Sequence, residues 1–284
     1  MQTSFSFKVI GLVVLAMVLI VSADAAGKVL TARGFSQFFV GWARFSVAVL
    51  IVAPFCGLKA TELPMLIRPQ VILRALLIAG GITCILTALK TEPMANVFGG
   101  FFIGPIISYF LSAFLLGERI TFARTALLAL SFIGVLIVVR PGFGMTAGMG
   151  FAVLAGCLHG SYLVATRWLA GSYRPRFLLF SQLAIGAVLL APFAIGPIPS
   201  VTLDLTLMLL WSALGSALGN LILVTISRTT PAGVVAPLIY SQLFVAMVLG
   251  LLIFGDFPDL ISLFGLCIIA GAGITSVWFA GKGR

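Results

Sequence analysis

Asp24, Arg44 and His159 stand inside long apolar runs, where few side chains carry charge or protons without a purpose. A charge at the centre of a membrane helix costs about 2.5–3.5 kcal/mol on insertion scales, so it is offset by a counter-charge, by carbonyls or by water. Arg44 lies in Gly41-Trp42-Ala43-Arg44-Phe45. Two readings stand side by side: an anchor for a ligand carboxylate, or a structural pair with Asp24 or with helix ends. His159 is the only histidine, with Tyr162 three residues on and therefore on the same helix face. Imidazole titrates near neutrality, which suits a proton carrier; a buried histidine also serves as a hydrogen-bonded packing residue. Asp24 is the second candidate for proton coupling.

Two further stretches combine polar groups with helix breakers. One holds Asn96, Gly99-Gly100 and Pro105; the other holds Pro237 and then Tyr240-Ser241-Gln242. Proline removes an intrahelical hydrogen bond and frees a carbonyl. Interrupted helices at matching places in two halves of a membrane protein mark a binding site near the midplane. Close packing of small residues between helices is the alternative. Gly99, Gly100, Pro105 and Pro237 are the expected hinges. Trp42, Arg44, Asn96, Phe101, His159, Tyr162, Gln182, Tyr240, Ser241 and Gln242 are the expected lining of a central cavity, with Asn220 weaker. Phe98, Phe102, Tyr109 and Trp211 add to the aromatic content, and those near Gly99-Gly100 would form an apolar wall.

The elements that position these residues follow from composition. Of 284 residues 61% are apolar and 8% charged, with a mean hydropathy of +1.24. A soluble domain carries roughly 25% charged residues. This chain cannot cover a globule with polar surface, so its solvent is lipid. Apolar runs long enough to cross the hydrocarbon core fall at 7–29, 36–56, 70–89, 94–116, 121–140, 148–169, 176–195, 204–226, 232–254 and 260–280. Only helices satisfy their own backbone in such runs. The first run, ending in Ala23-Asp24-Ala25, resembles a signal peptide with its cleavage site; the repeat described next requires it as a retained helix.

The net charge of +10 would point to nucleic acid in a soluble chain. Here the basic residues occupy short gaps, so no nucleic-acid partner is expected. With the N-terminus inside, the inner gaps hold twelve of them: Lys8, Lys59, Arg68, Arg74, Arg119, Arg124, Arg167, Arg174, Arg176, Arg228, Lys282 and Arg284. The outer gaps hold Lys28, Arg33, Lys90 and Arg140. That asymmetry places both termini in the cytoplasm. A shift of 138 residues lays Pro93 on Pro231, Lys90 on Arg228, Gly117 on Gly255 and Glu118 on Asp256; a shift of 139 lays Lys28 on Arg167. The expected fold is therefore all-α and integral to the membrane. Ten transmembrane helices form two inverted five-helix repeats, 1–142 and 143–284, around a central cavity.

A ten-helix chain of this length resembles the drug/metabolite transporter superfamily, in particular its EamA branch. The resembling pieces are Pro105 through Leu116-Gly117-Glu118-Arg119-Ile120-Thr121, and Pro231 through Phe254-Gly255-Asp256 followed by Gly265 to Gly271. The family writes the helix end as Leu-Gly-Glu, and the second copy here has Asp256 in place of Glu. The resemblance implies secondary export of small metabolites, often amino acids, across the bacterial inner membrane, with helices of both halves lining a cavity. A largely apolar cavity favours neutral or aromatic amino acids. Drugs, nucleosides or sugar-type metabolites are the alternative cargo of the same fold.

Other classes have less support. No GxxxxGK[ST] is present to bind ATP, so no ATPase chemistry is expected. An intramembrane enzyme needs HExxH, GxSxG beside a histidine, or facing aspartates, and none occurs. A channel would show rings of charge or a filter loop. Cys56, Cys84, Cys157 and Cys267 lack CxxC spacing and read as packing residues, so no metal or cofactor is expected. The partners implied are a small-molecule substrate and the lipid bilayer; monomer and homodimer are equally open.

Overall fold

The computed structural model describes residues 7–117, 120, 122–140, 145–196, 202–229 and 238–282, and within them the ordered elements are helices. In chain order they are α1 (Phe7–Ala32), α2 (Gln37–Cys56), α3 (Pro69–Leu89), α4 (Met94–Phe101), α5 (Ile103–Leu116) and α6 (Phe122–Val139). There follow α7 (Ala147–Ala170), α8 (Pro175–Leu190), α9 (Leu203–Thr229), α10 (Ser241–Leu249) and α11 (Leu260–Lys282). Local chemistry sets several boundaries. Ser36 and Thr146 cap α2 and α7 by accepting the amides of Phe38 and Met149, each at 3.1 Å. Pro69 and Pro175 open α3 and α8, where a missing N–H costs nothing.

Seven spans among the described helices are long and apolar enough to cross a membrane, one of them made by α4 and α5 together (Met94–Leu116), and three shorter apolar helices accompany them. Their packing runs in pairs. α1 lies on α9 and α3 on α7; α2 meets α8 and α9, while α3 also meets α8. α6 lies on α11, α4 and α5 cross α7, and α10 touches α1 and α4. The interior is filled by Phe98, Leu86, Leu89, Met94 and Val97, all fully buried. The outer face is just as apolar: Phe114 and Leu260 are each 85% exposed. A bundle that is apolar inside and out is stable only where its surroundings are hydrocarbon, as in a multi-pass membrane protein.

Polar contacts collect at the two ends of the bundle. At one end Lys28 binds the Asp256 carboxylate at 3.0 Å and the Glu92 carbonyl at 2.8 Å, Glu92 accepts from Thr146, and Arg140 pairs with Asp259. At the other, Arg174 binds Glu62, Arg68 reaches the Tyr173 hydroxyl, and Arg167 reaches Ser112 in the C-terminal part of α5. The link Gly255–Asp256 therefore lies at the Lys28 end, and Gly117, which terminates α5, lies at the Glu62 end. Gly117 and Gly255 share a left-handed backbone, with φ of 68° and 67°, and each closes its helix. Glycine takes that conformation without a Cβ penalty, which explains why both helix ends carry it.

The Glu62 pair yields a pH prediction. Hydrogen bonds from Arg174 and the Lys59 amide pull the Glu62 carboxyl down from 4.5 to about 2. A carboxyl depressed in the folded state contributes fully above its unfolded value and loses that contribution as pH falls toward the folded value. The difference in melting temperature between wild type and Glu62→Gln is thus expected to be constant from pH 8 to about pH 5. Below that, it shrinks as the medium approaches pH 2. Thermal unfolding across that range checks it.

Candidate functional site

The segment expected as one helix over 94–116 is two, α4 and α5, broken at Phe102. Pro105 explains the break: it has no N–H to offer the carbonyl four residues back, that of Phe101. The freed Phe101 oxygen lies against Gly156 of α7, so closely that a Cβ there would stand 2.4 Å from it. One turn on, the Gly104 oxygen approaches Gly160 in the same way, again at 2.4 Å. Two glycines on α7 thus let the broken helix sink against it. The interruption falls between the expected hinge positions rather than on them. Gly99 and Gly100 are packing contacts, since a Cβ at Gly99 would sit 2.9 Å from Val138 and one at Gly100 3.2 Å from Met149. Pro237 lies outside the described residues.

The close crossing brings an aromatic run together. The Phe101 ring is 5.1 Å from His159, and His159 is 5.7 Å from Tyr162. The Tyr162 hydroxyl donates to Gln182 on α8 at 2.7 Å. All four were expected at the site from sequence, and these contacts join α4, α7 and α8. A second focus forms around the α10 entry. The Tyr240 ring packs on Phe102 at 4.8 Å and fills the space above Gly273. Ser241 donates to the Leu238 carbonyl at 2.6 Å, and Gln242 is buried beside them. Asn96 on α4 has a buried side-chain oxygen with no partner among the described residues. Trp42 stands apart from both foci, against Phe39 at 5.8 Å. Asn220 turns its amide onto the Ser216 carbonyl of its own helix.

Of the two readings of Arg44, the geometry has the ion pair. Its Nη1 is 2.6 Å from Asp24 Oδ1, Nε donates to Ser212 at 2.8 Å and Nη2 to the Ala23 carbonyl at 2.7 Å. Both partners are about 95% buried, at 4% and 5% exposure. A pair so enclosed cancels its own charge and ties α1, α2 and α9 together. Asp24 is thereby occupied as a counter-ion. Arg74, placed above among the residues of an inner gap, is corrected: it lies within α3, only 3% exposed, and points between α7 and α8. Arginines near helix ends ordinarily reach outward to the interface, so nothing in the local sequence marked this one as inward-facing.

Among the described residues no group of acids, histidines and cysteines could hold a metal ion. What the site can do is bind: ring faces from Phe101, His159 and Tyr162, amide and hydroxyl groups from Gln182 and Tyr162, and a buried guanidinium beside them.

Several known proteins similar to this chain are named transporters. The chain is 27% identical over 274 residues to an S-adenosylmethionine uptake transporter of Rickettsia bellii, covering 93% of this chain and 91% of that one. It is 25% identical over 260 residues to a protein of the same name in Rickettsia prowazekii, covering 88% and 85%. An uncharacterised transporter of Archaeoglobus fulgidus matches over 105 residues at 28%, covering 37% of this chain and 38% of that one. A crystal structure 20% identical in sequence superposes with a TM-score of 0.66 over 95% of this chain and 97% of the other, so the fold is shared. The model of the EamA-like transporter family matches twice, over residues 7–140 and 146–278. The chain belongs to the EamA-like transporter family, and it is a transporter, not an enzyme.

Proposed function

We propose that this transporter is a secondary carrier of ten transmembrane helices. Two inverted five-helix repeats would carry a small amino-acid-like metabolite across the bacterial inner membrane by alternating access. One observation supports this more than any other. The break at Phe102, shifted by the 138 residues that lay Gly117 on Gly255, falls on Tyr240, which is itself the residue preceding α10. The two rings touch. Equivalent interruptions that meet face to face are what two repeats related by an axis between them would produce. The packing agrees: if α1 corresponds to α7, α2 to α8 and α3 to α9, the α1–α9 contact is the counterpart of α7–α3, and α2–α9 of α8–α3. Gly117 and Gly255 at opposite ends of the bundle fit the same scheme. With Lys28, Lys90 and Arg140 at the outer end, both termini face the cytoplasm.

The run Phe101–His159–Tyr162 supports a reading of the substrate class. Adjoining tilted rings ending in hydrogen-bonding groups suit a planar apolar body with a polar head. Neutral and aromatic amino acids moving outward meet that description. S-adenosylmethionine moving inward also meets it and is favoured by the names of the Rickettsia relatives. Drugs and nucleosides are the remaining competitors. Flux of labelled L-tryptophan and S-adenosylmethionine into and out of proteoliposomes separates these cargoes and directions; failure to move either would refute the substrate class. With Asp24 held by Arg44, a coupled proton falls to His159. Abolition of pH-gradient-driven flux in His159→Gln is the expected mark of coupling, and gradient-independent flux in wild type would mean facilitated transport.

His159→Ala removes the middle ring. An aromatic contact contributes about 0.5–1.5 kcal/mol, so the variant is expected to bind substrate up to about tenfold more weakly, and to lose stability of a similar order with its contacts to Phe101 and Tyr162. Equilibrium binding alongside thermal unfolding reads both.

A further inference from the structure

Arg74 is a buried cation whose charge no acid among the described residues cancels. Its Nε donates to Thr166 Oγ1, Nη1 to the Leu178 carbonyl and Nη2 to Gln182 Oε1, each at 2.8 Å, and Nη2 also to the Tyr162 hydroxyl at 3.1 Å. The guanidinium sits 4.9 Å from the centre of the Tyr162 ring. Every one of those acceptors is neutral. The described acids are all engaged elsewhere: Asp24 with Arg44, Glu62 with Arg174, Asp256 with Lys28 and Asp259 with Arg140. Glu92 is held by Thr91 and Thr146, and Asp204 by Thr202. Glu118 lies outside the described residues.

The molecule contains its own comparison. Arg44 sits where α1, α2 and α9 meet; Arg74 sits where α7, α8 and α3 meet, the equivalent junction if the chain is a repeat. The first junction supplies a carboxylate, Asp24. Shifted by 139 residues, Asp24 falls on Leu163, beside Tyr162, so the acid is not repeated. Among the described residues, the groups bonded to Arg74 are hydroxyls, an amide and a carbonyl. Those groups hold a guanidinium in position without neutralising it, and an Nη1 N–H stays uncommitted among the bonds above. A rigidly held guanidinium with one N–H and its charge to spare is suited to one ligand chemistry above others, a carboxylate accepting a charge-assisted hydrogen bond.

We propose that the counter-charge of Arg74 is the carboxylate of the transported molecule. The Arg74 guanidinium, framed by Tyr162 and Gln182, takes the acid group while the planar part of the substrate lies along His159 and Phe101. This rests on the carrier reading above and narrows its substrate to carboxylates bearing a ring, which aromatic amino acids and S-adenosylmethionine both are. Tyr162 joins the two halves of the site, because its ring continues the aromatic run and its hydroxyl accepts from the guanidinium.

The test compares acids with otherwise similar molecules that lack the acid. Full-length protein is assayed for binding of L-tryptophan against L-tryptophanamide, and of S-adenosylmethionine against its decarboxylated form. In wild type the acid of the pair that binds is expected to compete at concentrations at least tenfold lower than its partner. In Arg74→Gln that ratio collapses to near one, because the acid weakens and the partner does not. Arg74→Lys, which keeps the charge without the planar guanidinium that Thr166, Leu178 and Gln182 hold in place, retains part of it. If Arg74→Gln fails to fold, the wild-type ratio and its reduction in Tyr162→Phe decide the matter. Equal binding of acid and partner by wild type, or a ratio that survives in Arg74→Gln, would overturn the proposal and leave the carrier reading standing. If wild type binds neither member of either pair, the substrate class itself falls, and this proposal with it.

Discussion

Asp24→Ala is expected to destabilise the protein by about 3–5 kcal/mol, the loss found when one partner of a buried ion pair is removed and the other is left enclosed. The Arg44 guanidinium would keep Ser212 and the Ala23 carbonyl, both neutral, and no counter-charge. Escape to water is closed, since Arg44 is only 4% exposed. Arg44→Met in the same chain should restore much of the loss, because the two charges were buried for each other's sake. Thermal unfolding of the two single variants and the double variant in detergent measures the coupling. Equal melting of Asp24→Ala and wild type would mean that the pair is open in solution, and Arg44 would return as a candidate substrate anchor.

Gly156→Val is the second large effect. Its Cβ would meet the Phe101 oxygen at 2.4 Å and the carbonyl carbon at 3.0 Å, both backbone atoms that cannot turn aside. The expected outcome is a loss of about 1–3 kcal/mol from overpacking. A functional defect larger than that loss should accompany it, because α4 and α5 must move away from α7 and take Phe101 off His159. Gly11→Ala is the matched control: nothing lies within 4 Å of the added Cβ, and replacing a helical glycine by alanine stabilises by up to about 1 kcal/mol. The pair is compared by substrate binding and by unfolding on the same preparations. Binding that survives in Gly156→Val would separate the aromatic run from the site.

These two sites differ in how far the sequence announced them. The helices themselves were legible, because membrane spans are read from length and apolarity alone; expected runs such as 36–56 and 70–89 coincide with α2 and α3 to within a residue. Asp24 and Arg44 were conspicuous for the same reason, being charges where charges are costly. Gly156 and Gly160 were not, since small residues are common in such helices and only the crossing with the freed Phe101 carbonyl gives these two a purpose. The helix break followed the logic of Pro105 but fell three residues before it. Arg74 was misread because it follows Pro69 closely and looked like a residue of the adjoining link. Its inward turn depends on acceptors 88 to 108 positions away, a separation that no periodicity reveals. The Lys28–Asp256 tie, across 228 positions, was hidden in the same way.

Whether the run around His159 is a site reached from each side of the membrane in turn is decided by labelling. Cys56, Cys84, Cys157 and Cys267 are first replaced by alanine, and His159→Cys then supplies the single thiol. A carrier predicts that membrane-impermeant thiol reagents reach position 159 from the outside and, in inverted vesicles, from the inside as well, at different rates. Labelling from one face alone, however long the exposure, would contradict alternating access.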